Sequence, residues 1–515
     1  MTTAGQAVTV VVPACNVERY LADCLDSLVS QTVWADCRVI VVDDGSTDST
    51  ASIAEEYSAR YPVISVLRQA NAGPGAGAAR NHGLDEVGTE FVLFVDGDDT
   101  LTPTGIERLR AGVLADGLDL AVGATEQFPD ARSWIWSDYF VPGQAQTVRI
   151  EQVPLLVHDA RTCNKLYRTA WLRGLGLRFA EGIHHQDTVV NVPAMLLADR
   201  FSLVGDVVHR YRKRAEGGSV MDSHFTRVGN YWDHLRVIEE LDAMRPRFLP
   251  SREPLMQAFI ARSFQGFSWR APEVLPREKL PEFFERAKAV ISTLDPAIIE
   301  SSTRDASERT GYVAMLEDDL DSFARVSELA GRLEAHDGDL YLGVPAGPAL
   351  RGLLRTGATR ALATGINSGR DGVRVQVRLR IRGAHNPGAG VEHTLVRAFR
   401  GEAVAFSAPV AWTGTEGAES IGEVLIPWRQ LLDGGGELRL HFRTATGNAA
   451  RWLRRPTEDG AVGLAVQDTA LNDRRARLRL GVGTEGRACL VVTPTLSLRV
   501  QQLLARLSRR FPVRT

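Results

Sequence analysis

Four short apolar runs in the first hundred residues constrain this chain more than any other feature: VTVVV (8–12), VIVV (39–42), VISVL (63–67) and FVLFV (91–95). Each is of strand length, rich in β-branched or aromatic residues, and continuous rather than alternating, which predicts strands buried on both faces. Between the first two, residues 17–29 carry Leu21, Leu25 and Leu28 at helical spacing. Between the next two, residues 49–60 read as a helix whose start is signalled by Ser46, Thr47 and Asp48. Strand–helix–strand alternation at this spacing implies right-handed crossovers and a parallel sheet. On such a sheet, ligands bind at the carboxyl ends of the strands.

Each apolar run ends in a polar cluster: PACN (13–16), DDGSTDST (43–50), RQANAGPGAGAARN (68–81) and DGDD (96–99). In a parallel sheet these clusters converge on one edge. The crowding of Asp96, Asp98 and Asp99 calls for a cation, because like charges that close repel. Carboxylates are hard oxygen ligands suited to Mg²⁺ or Mn²⁺ held jointly with substrate phosphates, so a strand-terminal DxD suggests a metal bridging protein and diphosphate. Taken alone, Asp-Gly is also an ordinary turn pair. Gly73, Gly75 and Gly77 do not fit GxGxxG; they read equally as a turn capping the helix that begins near Ala78 or as a phosphate cradle.

At 515 residues, two to four domains are expected. A formal charge of −3 argues against a nucleic-acid-binding surface. Five scattered cysteines without a CxxC pair read as reduced thiols, not a disulfide framework or zinc site. The N-terminus lacks a basic region of signal-peptide type, and no segment has the ~18 uninterrupted apolar residues of a membrane span. From about residue 230 the pattern turns helical, in HLRVIEELDAM and in KLPEFFERAKAVIS, where Pro281 suits a first turn. After residue 340, VRVQVRLRIRG, ELRLHFR and ARLRLGVG alternate strictly, which reads as an antiparallel β-sandwich. The tail from Leu498 places Val500, Leu503, Leu504, Leu507 and Phe511 on one helical face among arginines; it reads either as a basic helix lying on an anionic membrane or as one docked on its own protein.

The ordered series VVVPACNVERYLADCLDSLVSQT, VIVVDDGSTDST, NAGPGAGAARNHGL and FVLFVDGDDTLTP resembles the nucleotide-sugar domain of family-2 inverting glycosyltransferases, motif by motif over the first hundred residues and more loosely to about residue 220. The resemblance implies an α/β, Rossmann-like A-type glycosyltransferase fold. It also implies that Pro13, Asn16, Asp43, Asp44, Asn71, Arg80 and Asn81 surround the donor nucleotide, with Asp44 on the uracil edge. Asp96 then lies by ribose and donor sugar, Asp98 on a Mn²⁺ or Mg²⁺ ion, and Asp99 trails them. NKLYRTAWLRGLGLRFAEGIHHQDTVVN resembles the family's second half-site, whose last acid, here Asp187, is the general base. Direct displacement at the anomeric carbon needs such a carboxylate to take the acceptor's proton; the other reading is that Asp187 caps the helix TVVNVPAMLLA, and the two are compatible. VVHRYRKRAEGGSV resembles the family's YRxR…GS segment and makes Arg212 and Arg214 phosphate partners, a solvated basic turn being the other reading.

The expected organisation is a nucleotide-sugar domain over 1–225, a helical extension over 226–338, a β-sandwich over 339–496 and a basic amphipathic helix over 497–515. The expected activity is metal-dependent, inverting transfer from a UDP-sugar to a hydroxyl of a cell-envelope polymer or lipid-linked glycan, in the style of bacterial enzymes that act on teichoic-acid-type polyol phosphates. The expected location is cytoplasmic, peripheral at the inner membrane face through 497–515, with self-association through the sandwich. The alternative is a catalytically inactive glycan-binding scaffold, which would be expected to break the metal or base position; Asp98 and Asp187 are both present. A nucleotidyltransferase would be expected to show a Gly-rich signature after the first strand, and PACNVERY is not one.

Overall fold

The computed structural model describes residues 7–214 and 225–355, apart from 304–305, 331–332 and 337–338, and beyond them mainly the C-terminal strands up to Pro494. The chain forms two compact units, residues 1–267 with 273–302, and residues 268–272 with 303–515.

The first unit opens with the expected alternation: β1 (Val8–Ala14), α1 (Leu21–Val29), β2 (Cys37–Asp44), α2 (Thr50–Arg60), β3 (Ile64–Gln69), α3 (Gly77–Asp85) and β4 (Phe91–Phe94). All seven residues of β1 are buried, as its unbroken apolar run requires of a strand covered on both faces. Helix α1 turns Leu21, Cys24, Leu25 and Leu28 inward, the stripe read from the sequence. These residues share one core with Val8, Val10, Val39, Val41, Phe91 and Leu93. Each such side chain contributes roughly 1.5–3 kcal/mol by leaving water.

β3, β2, β1 and β4 are neighbours in that order and all pair parallel. Register fixes where the loops emerge: Ala14 pairs with Asp43, Asp43 with Arg68, and Val11 with Phe94. The polar clusters therefore leave from one edge of the sheet. Beyond β4 the sheet changes direction, which the alternation did not foretell. The chain continues through α4 (Gly105–Ala115), β6 (Leu120–Phe128), β7 (Ala145–Val148), β8 (Lys165–Arg168), α5 (Thr169–Gly174) and β9 (Phe201–Arg212). β8 runs antiparallel to both β4 and β6, and β6 pairs parallel with β9. This brings the end of β9 to the edge where the acidic loop emerges: the short strand β5 (Thr100–Leu101) pairs with His209 and Arg210 of β9.

Helix α6 (Thr188–Leu197) follows Asp187, and the extension supplies α7 (Val228–Met244), α8 (Glu253–Val274) and α9 (Leu280–Ile291), the last with Pro281 in its first turn. Arg252, almost wholly buried, donates to the carbonyls of Leu196, Ala198 and Asp199 at 2.9, 2.7 and 3.2 Å. It thereby satisfies the orphan carbonyls at the end of α6. No helix among the described residues is long and apolar enough to cross a membrane.

In the second unit the alternating segments are strands, at Gly372–Ile381, Gly436–Arg443 and Arg474–Val482. They belong to two antiparallel sheets, one of four strands and one of seven. Most of their side chains, and the whole of 497–515, lie outside the described residues. The expected sandwich packing and terminal amphipathic helix fall outside them.

Candidate active site

The loops at the carboxyl edge of the first sheet enclose a cavity of about 410 Å³. Its walls come from Pro13 after β1, Asp44 after β2, Asn71 and Arg80 around the glycine-rich turn, Asp96 and Asp98 after β4, the loop ending in Asp187, and Arg212 and Arg214 at the end of β9. Nine of the twelve residues singled out in the sequence thus line one cavity.

Asn16, Asp43 and Asn81 are not among its lining residues. The Asn16 side chain accepts from Thr47 N at 2.9 Å, and Asp43 accepts from Ser46 N at 3.3 Å, so both hold the turn after β2. Asn81 is buried and bonds Phe179 in both directions, at 2.9 and 3.0 Å, and Glu181 at 2.8 Å. It ties α3 to the segment leading to Asp187. Asp43 and Asn81 are buried and support the cavity's loops from within, whereas Asn16 is exposed.

Charge inside the cavity is balanced in pairs. Arg80, its side chain buried, pairs with Asp96 and donates to Gln186 Oε1 at 2.9 Å, which links the acidic loop to the neighbour of Asp187. Burial alone would raise the Asp96 carboxyl, but the Arg80 charge and hydrogen bond, with help from His209 and Cys163, hold it below the ordinary range. Arg214 approaches Asp98 Oδ2 at 2.7 Å, yet burial and the charges of Asp99 and Asp96 outweigh it and push Asp98 up to about 6. Asp99 is fully engaged: His209 Nε2 lies 2.8 Å from Oδ2, and Arg212 N donates to Oδ1 at 2.8 Å. Arg212 also donates from Nε to the Asp98 carbonyl at 2.8 Å.

Asp96, Asp98 and Asp99 bring one carboxylate oxygen each within 4.8 Å of one another. The crowding that raises Asp98 is what a divalent cation would relieve, so this donor set fits a hard ion such as Mn²⁺ or Mg²⁺. Because both oxygens of Asp99 already accept hydrogen bonds, Asp98 and Asp96 are the residues suited to hold it. A second cluster, Asp99, Cys163 and His209, is wholly buried. It lies behind the cavity, with only Asp99 on its wall.

Asp187 sits at the N-terminus of α6, but its side chain makes no capping hydrogen bond. Burial raises its carboxyl, the Arg80 charge opposing and the Asp96 charge adding to the effect. A carboxylate that faces a cavity without serving the helix, and binds its proton more tightly than usual, is placed for proton transfer. His209, Glu181 and Gln186 were assigned no part in the site from the sequence. No local pattern signals them, since their partners Asp99, Asn81 and Arg80 lie 110, 100 and 106 positions away.

Residues 9–176 match the family model "Glycosyl transferase family 2". The chain is 28% identical over 259 residues to the uncharacterized glycosyltransferase YibD of Escherichia coli, a match spanning 47% of this chain and 73% of that protein. It is 30% identical over 238 residues to the poly(ribitol-phosphate) beta-N-acetylglucosaminyltransferase TarS of Staphylococcus aureus, spanning 45% of this chain and 39% of that one. The crystal structure of S. aureus TarS aligns with 96% of this chain and 86% of its own length, at a TM-score of 0.57 and 19% identity. TarS 1–349 in complex with UDP-GlcNAc aligns with 66% of this chain and 98% of its own, at a TM-score of 0.54 and 23% identity. The fold is therefore of the A type seen in these structures. Residues 9–176 are thus a glycosyltransferase segment of family-2 type.

Proposed function

We propose that the protein transfers a sugar from a UDP-sugar to a hydroxyl of a cell-envelope polyol-phosphate polymer, with inversion at the anomeric carbon and with the help of a divalent cation. One observation carries this reading: Asp98, beside Asp96, and Asp187 line the same cavity, joined by the Arg80 bridge to Asp96 and Gln186. That arrangement suits a donor whose diphosphate lies on the acidic and arginine side while an acceptor hydroxyl meets Asp187.

In this reading Asp44 and Asn71, which line the cavity, meet the nucleotide base; Gln69 donates to Asp44 at 2.8 Å, which supports that orientation. Asp187 takes the proton of the attacking hydroxyl as the bond from the anomeric carbon to the diphosphate oxygen breaks. Arg212 and Arg214, next to Asp98, offset charge developing on the departing diphosphate. A Mn²⁺ or Mg²⁺ ion, held by Asp98 and Asp96, would supply further neutralisation of that charge. The acceptor class is taken from the relatives, TarS being named a poly(ribitol-phosphate) beta-N-acetylglucosaminyltransferase. The C-terminal strands, several of which carry alternating arginines, suit contact with such an anionic polymer or with a second copy of the chain.

The test is release of UDP from UDP-N-acetylglucosamine and UDP-glucose, with GDP-mannose and dTDP-glucose as controls, in the presence of poly(ribitol phosphate), with Mn²⁺ and with chelator. The reading expects cation-dependent turnover of a UDP-sugar and a β-linked product. No turnover of any of these donors, or a product retaining the donor's configuration, would contradict it.

A further inference from the structure

The segment 181–187 carries Asp187, yet it has no regular secondary structure and contains two left-handed residues, Gly182 at φ 71° and His185 at φ 60°. Glycine adopts that region freely; histidine does so only where its surroundings impose it. Strain of this kind at the wall of a cavity needs an external support.

The support comes from α7. Asp233 Oδ2 accepts the backbone N–H of His184 at 3.0 Å, and Arg236 Nη1 donates to the carbonyl of Glu181 at 3.3 Å. Between these two points the His185 ring stands edge-on to the His234 ring, at 5.3 Å and 86°. His234 is in turn buried, stacked on Phe267 at 4.3 Å and 15°, and near-parallel to Phe264 at 6.1 Å and 5°. Neither phenylalanine can yield without opening the helical core. From the other side, the glycine-rich turn closes on the same segment: a Cβ on Gly75 would stand 2.1 Å from the Ile183 carbonyl oxygen.

We infer that Asp233 and His234 are positioning residues for the transfer step, and that α7, outside the residues matched by the family model, fixes the loop that presents Asp187. Neither side chain lines the cavity. Asp233 acts through the backbone of His184, and His234 through the ring of His185. The inference rests on the function proposed above, because it gives Asp187 its role there.

The experiment compares wild type with His234→Ala, His234→Phe, Asp233→Ala and Asp233→Asn. It measures kcat and donor KM for UDP release from UDP-N-acetylglucosamine, the Kd of UDP by calorimetry, and the melting temperature. The alanine variants should lose about 10- to 100-fold in kcat, as expected when a reacting group is displaced by an ångström or so, with donor KM and UDP Kd unchanged. His234→Phe keeps a planar ring against His185, and Asp233→Asn keeps an acceptor oxygen for His184 N–H; both should restore most of the rate. A kcat equal to wild type in the alanine variants, or a parallel loss of kcat, UDP binding and melting temperature that the conservative variants do not rescue, would overturn the inference while leaving the proposed function intact. Should His234→Ala not fold, Asp233→Ala decides, since Asp233 is half-buried and outside the aromatic stack. A wild-type protein that neither binds UDP nor releases it would sink the proposed function and this inference together.

Discussion

Asp99 and His209 stand 110 positions apart in the chain and meet at 2.8 Å, both almost completely buried, directly behind the acidic loop. The pair fastens that loop to β9, because Asp99 also accepts the Arg212 backbone N–H and Arg212 donates to the Asp98 carbonyl. Replacing His209 by alanine would leave a buried carboxylate without its main partner. Removing one member of a buried pair typically costs about 3–5 kcal/mol. We expect His209→Ala to lower the unfolding free energy measured by urea denaturation by that order, and His209→Gln, which keeps a donor, to lower it much less. Equal unfolding free energies for wild type and His209→Ala would show that the pair holds nothing together.

Asp187 gives a prediction in which activity and stability separate. Its carboxyl is raised above the ordinary value of 3.8, burial being the largest cause. The folded protein therefore holds this proton more tightly than the unfolded chain, and ionising it lowers stability as pH rises through the interval between the two values. Asp187→Asn removes that penalty, so at pH 8 it should melt no lower than wild type while losing transfer. In wild type the rate should fall toward acid with an apparent pKa above 3.8, since only the deprotonated base accepts a proton. An acid limb at or below that ordinary value, or a variant that keeps turnover, would exclude the role.

Gly75 tests the closure of the glycine-rich turn. Its φ is +80°, and a Cβ there would lie 2.1 Å from the Ile183 carbonyl oxygen, a clash with backbone rather than with a pliable side chain. Gly117 also has a positive φ, +61°, but nothing lies within 4 Å of its Cβ position. Gly117→Ala should show only the conformational penalty, about 1–2 kcal/mol. Gly75→Ala should exceed it and raise the donor KM as well. If the two variants behaved alike in melting temperature and KM, the close approach would carry no weight.

How far the sequence alone reached can be seen in these residues. β1, β2 and β4 were legible because a strand covered on both faces needs an apolar run, and they are buried almost throughout; β3 was expected to be buried like them, but it lies at the edge of the sheet and is mostly half-buried. Their parallel pairing and the convergence of the loops followed from that. Asp98 and Asp187 were legible from motif resemblance, and the cavity holds both. Asp43, Asn16 and Asn81 sit in the same motifs yet turn into hydrogen bonds with neighbouring loops, a choice of side-chain direction that spacing does not encode. The antiparallel insertion of β8 and the His209 partner of Asp99 depend on pairings more than seventy residues apart. Local patterns carry no record of such pairings. The support of the Asp187 loop by α7 was hidden for the same reason, since HLRVIEELDAM reads only as an amphipathic helix.

Calorimetric titration of UDP into the protein measures directly whether the acids after β4 take up a cation together with the nucleotide. Wild type should bind UDP at least about tenfold more tightly with Mn²⁺ than with chelator, a gain of about 1.4 kcal/mol. Asp98→Ala, with its fold retained by circular dichroism, should bind UDP equally in both conditions. Identical UDP affinity in wild type with and without Mn²⁺, or a full Mn²⁺ enhancement in Asp98→Ala, would contradict the account at its centre.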